Sequence, residues 1–171
     1  MMKYIYKDLV SVFGYRPYGL ALGIPLSAAL VLIAFFVLKK RERRAFISLI
    51  AFGLYLAILL VITFLSRESG SGPGAVDLEL FSTWGINDRN NAFVVENVLL
   101  FIPYGFLCSC AFGKLRNFLS CMLFGALTSM AVECLQLVTA RGYFQIDDIL
   151  TNILGTVVGY LLFLLFVGKN D

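Results

Sequence analysis

Eight polar side chains lie within or at the ends of apolar runs, and their types are those of recognition and acid–base chemistry: Glu96, Asn97, Glu133, Gln136, Arg141, Asp147, Asp148 and Asn152. An ionisable group inside an apolar run is costly unless it faces protein or a water-filled cavity, so such residues mark a candidate site. Glu133 and Gln136 are three apart and share one helix face. Asp148, Asn152, Gly155 and Gly159 follow one another at spacings of four, three and four, a single helical stripe that is polar above and Gly-x-x-x-Gly below. Asn97 and Gly105, eight apart, repeat the arrangement. Glu133 with Asp148 would supply the paired acid and base of hydrolysis or group transfer, with Arg141 as counter-charge, or would hold Mg²⁺ beside a phosphate. The same fixed charges would equally recognise an amphipathic ligand carrying both signs of charge. The chain has no histidine, which excludes Ser/His/Asp and Cys/His catalysis and HExxH metal sites, and no other cofactor is expected.

Each residue also has a structural reading. Asp147 or Asp148 would cap a helix; Asn97 and Asn152 would hydrogen-bond between helices; Glu96 would sit at the interface; Arg141 would snorkel or pair with Glu133. The four cysteines, Cys108, Cys110, Cys121 and Cys134, lack CxxC spacing and read as small apolar residues.

The elements that must position these groups are membrane helices. Of 171 residues, 60% are apolar and only 15% charged, with a mean hydropathy of +0.86, which excludes a soluble enzyme and a disordered chain. A net charge of +3 gives no footprint for nucleic acid. A span needs about 20 apolar residues. Residues 17–38, 45–65, 117–138 and 149–167 qualify, and a fifth run, 92–112, opens on Glu96 and Asn97 and carries Pro103. The expectation is an all-α, polytopic transmembrane bundle of about five spans. An amphipathic segment, 1–16, precedes it with Ile5, Leu9, Val12 and Phe13 on one stripe.

Basic residues favour the cytoplasmic side of short loops. Residues 39–44 (KKRERR) are therefore expected inside, with Lys114, Arg116 and Lys169, and loops 66–91 and 139–148 outside. This topology puts the eight polar groups in one pocket facing the outer leaflet. Within the long loop, 66–74 reads as a Gly/Ser/Pro connector. Val76, Leu78 and Leu80 alternate with acids as a short extended or interfacial segment, and Trp84, the sole tryptophan, suits the headgroup level.

Three ordered blocks resemble the VanZ-like membrane family: Asn97 to Gly105 (NVLLFIPYG), Glu133-x-x-Gln136, and Arg141 followed by Asp147 to Gly155 (DDILTNILG) with Gly159 beyond. The resemblance covers about residues 45–165, within a domain bounded at 45–167. Gln145 stands where related sequences often carry an acid, and the first 40 residues hold no mark of the family. The resemblance implies a bacterial cytoplasmic-membrane protein, in a family named for a member that lowers susceptibility to teicoplanin-type glycopeptides. The partners it suggests are membrane lipids and a lipoglycopeptide or lipid-linked wall precursor. Three mechanisms follow: binding or envelope modification at the outer leaflet, a carboxylate enzyme acting on a lipid or wall-precursor headgroup, or a proton-coupled transporter.

Overall fold

The computed structural model describes residues 1–36, 43–65, 67, 70 and 75–168. The basic loop at 39–42, most of the 66–74 connector and Lys169 lie outside the described residues, as do positions 37–38 of the first expected span.

A short helix, α1 (Met2–Val12), precedes α2 (Arg16–Phe36), α3 (Arg43–Leu60), α4 (Asp88–Ala111), α5 (Phe118–Val138) and α6 (Ile146–Phe166). Among the described residues, α2 to α6 are each long and apolar enough to cross a membrane. The last turn of α3, Val61–Leu65, is π-helical. Two residue pairs, β1 (Val76–Asp77) and β2 (Phe144–Gln145), join in parallel, Val76 opposite Phe144. The alternation around Val76 is thus a strand, and its partner comes from the loop between α5 and α6.

Helix α4 begins earlier than its apolar pattern suggests, because Asn87 caps it by accepting from the Arg89 and Asn90 N–H groups, both at 2.9 Å. Glu96 and Asn97 therefore sit two turns inside α4 instead of opening it. Asn117 caps α5 in the same way through the Ser120 N–H. Pro103 lies inside α4 and strips one carbonyl of its donor; the Tyr55 hydroxyl donates to the neighbouring Leu100 carbonyl.

Close packing of α4 on α6 sets the frame of the bundle. A side chain at Gly155 would meet the Val98 carbonyl, one at Gly159 the Ile102 carbonyl, and one at Gly105 the Thr156 carbonyl. The small-residue stripe therefore lets two backbones approach as membrane helices require. Phe52, Phe101, Tyr104 and Phe163 fill the centre, with the Tyr104 hydroxyl bonded to Thr128 Oγ1 at 2.6 Å. Leucine and phenylalanine side chains such as Leu127, Leu165 and Phe166 stay exposed on the outside, the composition of a lipid-facing surface.

Candidate functional site

The end of the bundle that carries β1 and β2 gathers the polar groups. Helix α5 delivers Glu133 and Gln136, each 2% exposed, in its last two turns. The chain then turns through Ala140, in the left-handed region at φ 50°, with the Arg141 N–H bonded back to the Gln136 carbonyl. This reversal brings Gln145, the residue that opens α6, onto Glu133, whose Oε2 accepts the Gln145 N–H at 3.0 Å. Glu133 thus reaches across to the positive end of α6.

Asp148, in the first turn of α6, lies beside Glu133, and the Asn97 side chain from α4 is near its carboxylate. The cation acting on both carboxylates is Arg67, just beyond the π turn of α3. One turn further along α6, Asn152 donates through Nδ2 to Ser129 Oγ at 2.8 Å and is itself 4% exposed, joining α6 to α5. Its Oδ1, like Gln136 Oε1, is buried without a donor.

Three predicted members do something else. Arg141 does not serve as counter-charge to Glu133 or Asp148. Its Nη1 donates to the carbonyls of Phe64 at 3.0 Å and Arg67 at 2.5 Å, and its guanidinium lies 4.6 Å above the Phe64 ring. The ion pairs among the described residues are Met1 with Asp88 and Asp8 with Arg89, so the Glu133–Arg141 pair is not formed. Asp147 caps no helix; it accepts the N–H groups of Phe81 at 2.7 Å and Thr83 at 3.1 Å, tying the loop after β1 to α6. Glu96 lies on another face of α4, in a group with Asp8 of α1 and Arg89. The single pocket of the sequence reading is thus two groups, Glu133/Asp148/Asn97/Arg67 with Gln136 nearby and Asn152 a turn along α6, and Asp8/Arg89/Glu96 under α1.

Arg67 is the member that sequence reasoning missed. It lies within the 66–74 stretch that reads as a flexible Gly/Ser/Pro connector, and its only sequence signal is a cation directly after an apolar span. Nearby, Asp77 accepts from the Ser82 hydroxyl and the Glu79 N–H, bonds that hold its carboxyl below the ordinary range. A shallow depression of about 460 Å³ on α1, lined by Lys3, Tyr4, Tyr6, Lys7 and Val10, shares no residue with the carboxylate group. Among the described residues no cluster of three or more Cys, Asp or Glu side chains is placed to hold a metal ion. Cys108 and Cys121 are buried as small apolar side chains, with their sulfurs 3.6 Å apart.

Five apolar helices enclosing a carboxylate pair at one end define a polytopic membrane protein with an internal polar site. A family model described as VanZ/LLP1 matches residues 28–167, and the chain belongs to that family. Protein VanZ of Enterococcus faecium is 33% identical over 70 residues, 41% of this chain and 43% of that one. The chain therefore matches less than half of that relative's length. No solved structure matches.

Proposed function

We propose that this chain works at the outer leaflet of the bacterial cytoplasmic membrane. There the Glu133/Asp148 group recognises a lipid-linked wall precursor or a lipoglycopeptide and lowers susceptibility to teicoplanin-type glycopeptides. The observation that carries this reading is the meeting, at one end of the bundle, of two carboxylates from adjacent helices with a guanidinium that contacts neither as an ion pair. Such an arrangement offers both signs of charge to a headgroup while the apolar helix faces accept its chain. Arg43 and Arg44 open α3, at the end away from its π turn, and with the basic sequence before them they support an outward-facing site. Family membership supports the link to glycopeptides.

A second reading has its own observation, the side-by-side placement of Glu133 and Asp148. In an enzyme one would donate and the other accept a proton at a lipid or precursor headgroup, or both would hold Mg²⁺ with phosphate oxygens completing its shell. A proton-coupled transporter fits less well, because its sites lie near the midplane and these groups crowd one end.

The test is growth of a susceptible Gram-positive host expressing wild type, Glu133→Gln or Asp148→Asn at matched membrane levels, against teicoplanin and vancomycin side by side. Protection by the wild type, greater for the lipid-tailed drug and lost in both variants, is the expected result. Equal protection by the variants would remove the carboxylates from the function. Graded loss in the variants favours a binder, whereas loss of turnover by orders of magnitude with binding intact marks an enzyme.

A further inference from the structure

We infer that Arg67 is the residue through which this site takes an oxyanion of its ligand, and that Arg141 and Gln136 are positioning residues that hold Arg67 in place. The inference rests on the ligand-binding reading above.

The backbone leading to Arg67 is fastened by side chains from the end of α5 and the turn after it. A π turn breaks the regular carbonyl ladder of a helix. The carbonyls at this one are taken up individually: Thr63 by Gln136 Nε2 at 2.7 Å, Phe64 by Arg141 Nη1, and the Arg67 carbonyl by the same nitrogen. Stacking of Arg141 over the Phe64 ring adds a further hold. A residue just past a helix end is thereby kept at a defined place over the end of α5.

The guanidinium itself has room made for it. A Cβ at Gly142 would stand 2.8 Å from Arg67 Nη1 and 3.5 Å from Gln136 Oε1, so glycine leaves the space in which the guanidinium lies beside the Gln136 amide. The Gly142 backbone is not in the left-handed region, so this glycine answers to space and not to conformation. Gln136 Oε1, on a residue 2% exposed, has no donor. Arg67 acts on Glu133 and Asp148 yet forms an ion pair with neither. The guanidinium, held beside the Gln136 amide and in ion-pair contact with neither carboxylate, keeps N–H donors free for an oxyanion.

An arginine fork fits a carboxylate or phosphate oxyanion through two parallel bonds. Two carboxylates alone would repel such a group, so an oxyanion enters only through the directional bonds of Arg67, and removing its charge shifts the preference toward a cation, which a merely structural residue would not do.

Trp84 follows Thr83, whose N–H bonds Asp147, and is the sole tryptophan, so its emission reports on this end of the bundle. Wild type, Arg67→Gln, Arg67→Lys, Arg141→Ala and Gly142→Ala are purified in maltoside micelles and titrated with dodecyl phosphate, dodecyltrimethylammonium and inorganic phosphate. The wild type should bind dodecyl phosphate saturably. Arg67→Gln should weaken it by about ten-fold or more, as expected for losing a charged bond, and should gain affinity for dodecyltrimethylammonium. Arg67→Lys should fall between. Gly142→Ala, which displaces only the end of a flexible side chain, should weaken phosphate binding while leaving the unliganded emission unchanged. Arg141→Ala should weaken it with no rise in affinity for the cation. Competition by inorganic phosphate assigns the recognised group to a free oxyanion; its absence assigns it to a lipid-borne one. Unchanged dodecyl phosphate affinity in Arg67→Gln, a wild-type preference for the cation, or no wild-type binding overturns the inference. In the growth assay, protection that needs Glu133 and Asp148 but not Arg67 sinks the role of Arg67 and leaves the ligand-binding reading standing. Protection that survives Glu133→Gln and Asp148→Asn sinks both.

Discussion

Replacing Asp147 by alanine should loosen the loop after β1 and leave the carboxylate pair in place. Asp147 is 6% exposed, and both its oxygens are used, one on the Phe81 N–H and one on the Thr83 N–H. A hydrogen bond to a charged acceptor contributes about 1.5–3 kcal/mol, and its loss costs most where water cannot replace it. Thr83 is 7% exposed and pays nearly the full cost, whereas Phe81 is 74% exposed and its N–H finds water. Phe81 also sits in the left-handed region at φ 63°, a conformation that a bulky residue adopts only when held there. The sum is about 2–4 kcal/mol of local stability, or about one and a half to three decades in amide exchange. Hydrogen exchange followed by mass spectrometry over residues 78–86 measures this directly. Asp147→Asn, which keeps one acceptor oxygen, should show about half the effect in kcal/mol, and Asp148→Asn should show little. Unchanged exchange in Asp147→Ala, or equal acceleration in Asp148→Asn, would refute the division of labour between the two neighbouring acids.

Gly159→Ala puts a Cβ against the Ile102 carbonyl and 2.8 Å from the Phe106 N, backbone that cannot rotate away, so the thermal midpoint in micelles should fall by an amount equivalent to about 1–3 kcal/mol. Gly113→Ala, which meets nothing within 4 Å, is the neutral control. The Asp77 carboxyl is held low by Ser82 and Glu79, so its contribution to loop order is present above the unfolded value near 4 and is lost as pH falls through the folded one. Trp84 emission should therefore shift below about pH 4 in the wild type, and Asp77→Asn should abolish that transition. Glu96→Gln should leave glycopeptide protection and dodecyl phosphate binding unchanged, alone or combined with Glu133→Gln, because Glu96 belongs with Asp8 and Arg89.

The spans were legible because hydropathy over about 20 residues is a strong signal, and the Gly155/Gly159 stripe because helical spacing is rigid. Glu133 and Asp148 could be paired from sequence since both lie at the ends of spans facing the same loop. The role of Arg141 could not be read, since what it bonds are backbone carbonyls at a π turn, and no residue type announces a π turn. Glu96 was assigned to the wrong group because its neighbours, Asp8 and Arg89, are brought together by the docking of α1 on α4, a contact spanning 81 residues of chain. The start of α4 was placed late because its capping residue, Asn87, lies outside the apolar pattern. Asp147 and Asp148 differ by one position and about 100° of helix rotation, which is why one ties down a loop and the other faces Glu133.

The distribution of incomplete hydrogen bonds argues for function at the same end. The buried polar atoms without a partner belong to Thr83, Glu96, Gln136, Arg141 and Asn152, all on the β1/β2 side of the bundle among the described residues. Toward the opposite end the buried hydroxyls are bonded: Ser109 to the Gly105 carbonyl at 2.8 Å and Tyr160 to the Arg116 carbonyl at 2.8 Å. On the proposed function, this asymmetry separates an end that holds the bundle together from an end with bonding capacity for a ligand. Within that end, Arg141 and Asp147 spend their bonds on backbone, which fixes the loops. On the proposed function, Glu133, Asp148 and Arg67 are the groups whose charge meets the ligand.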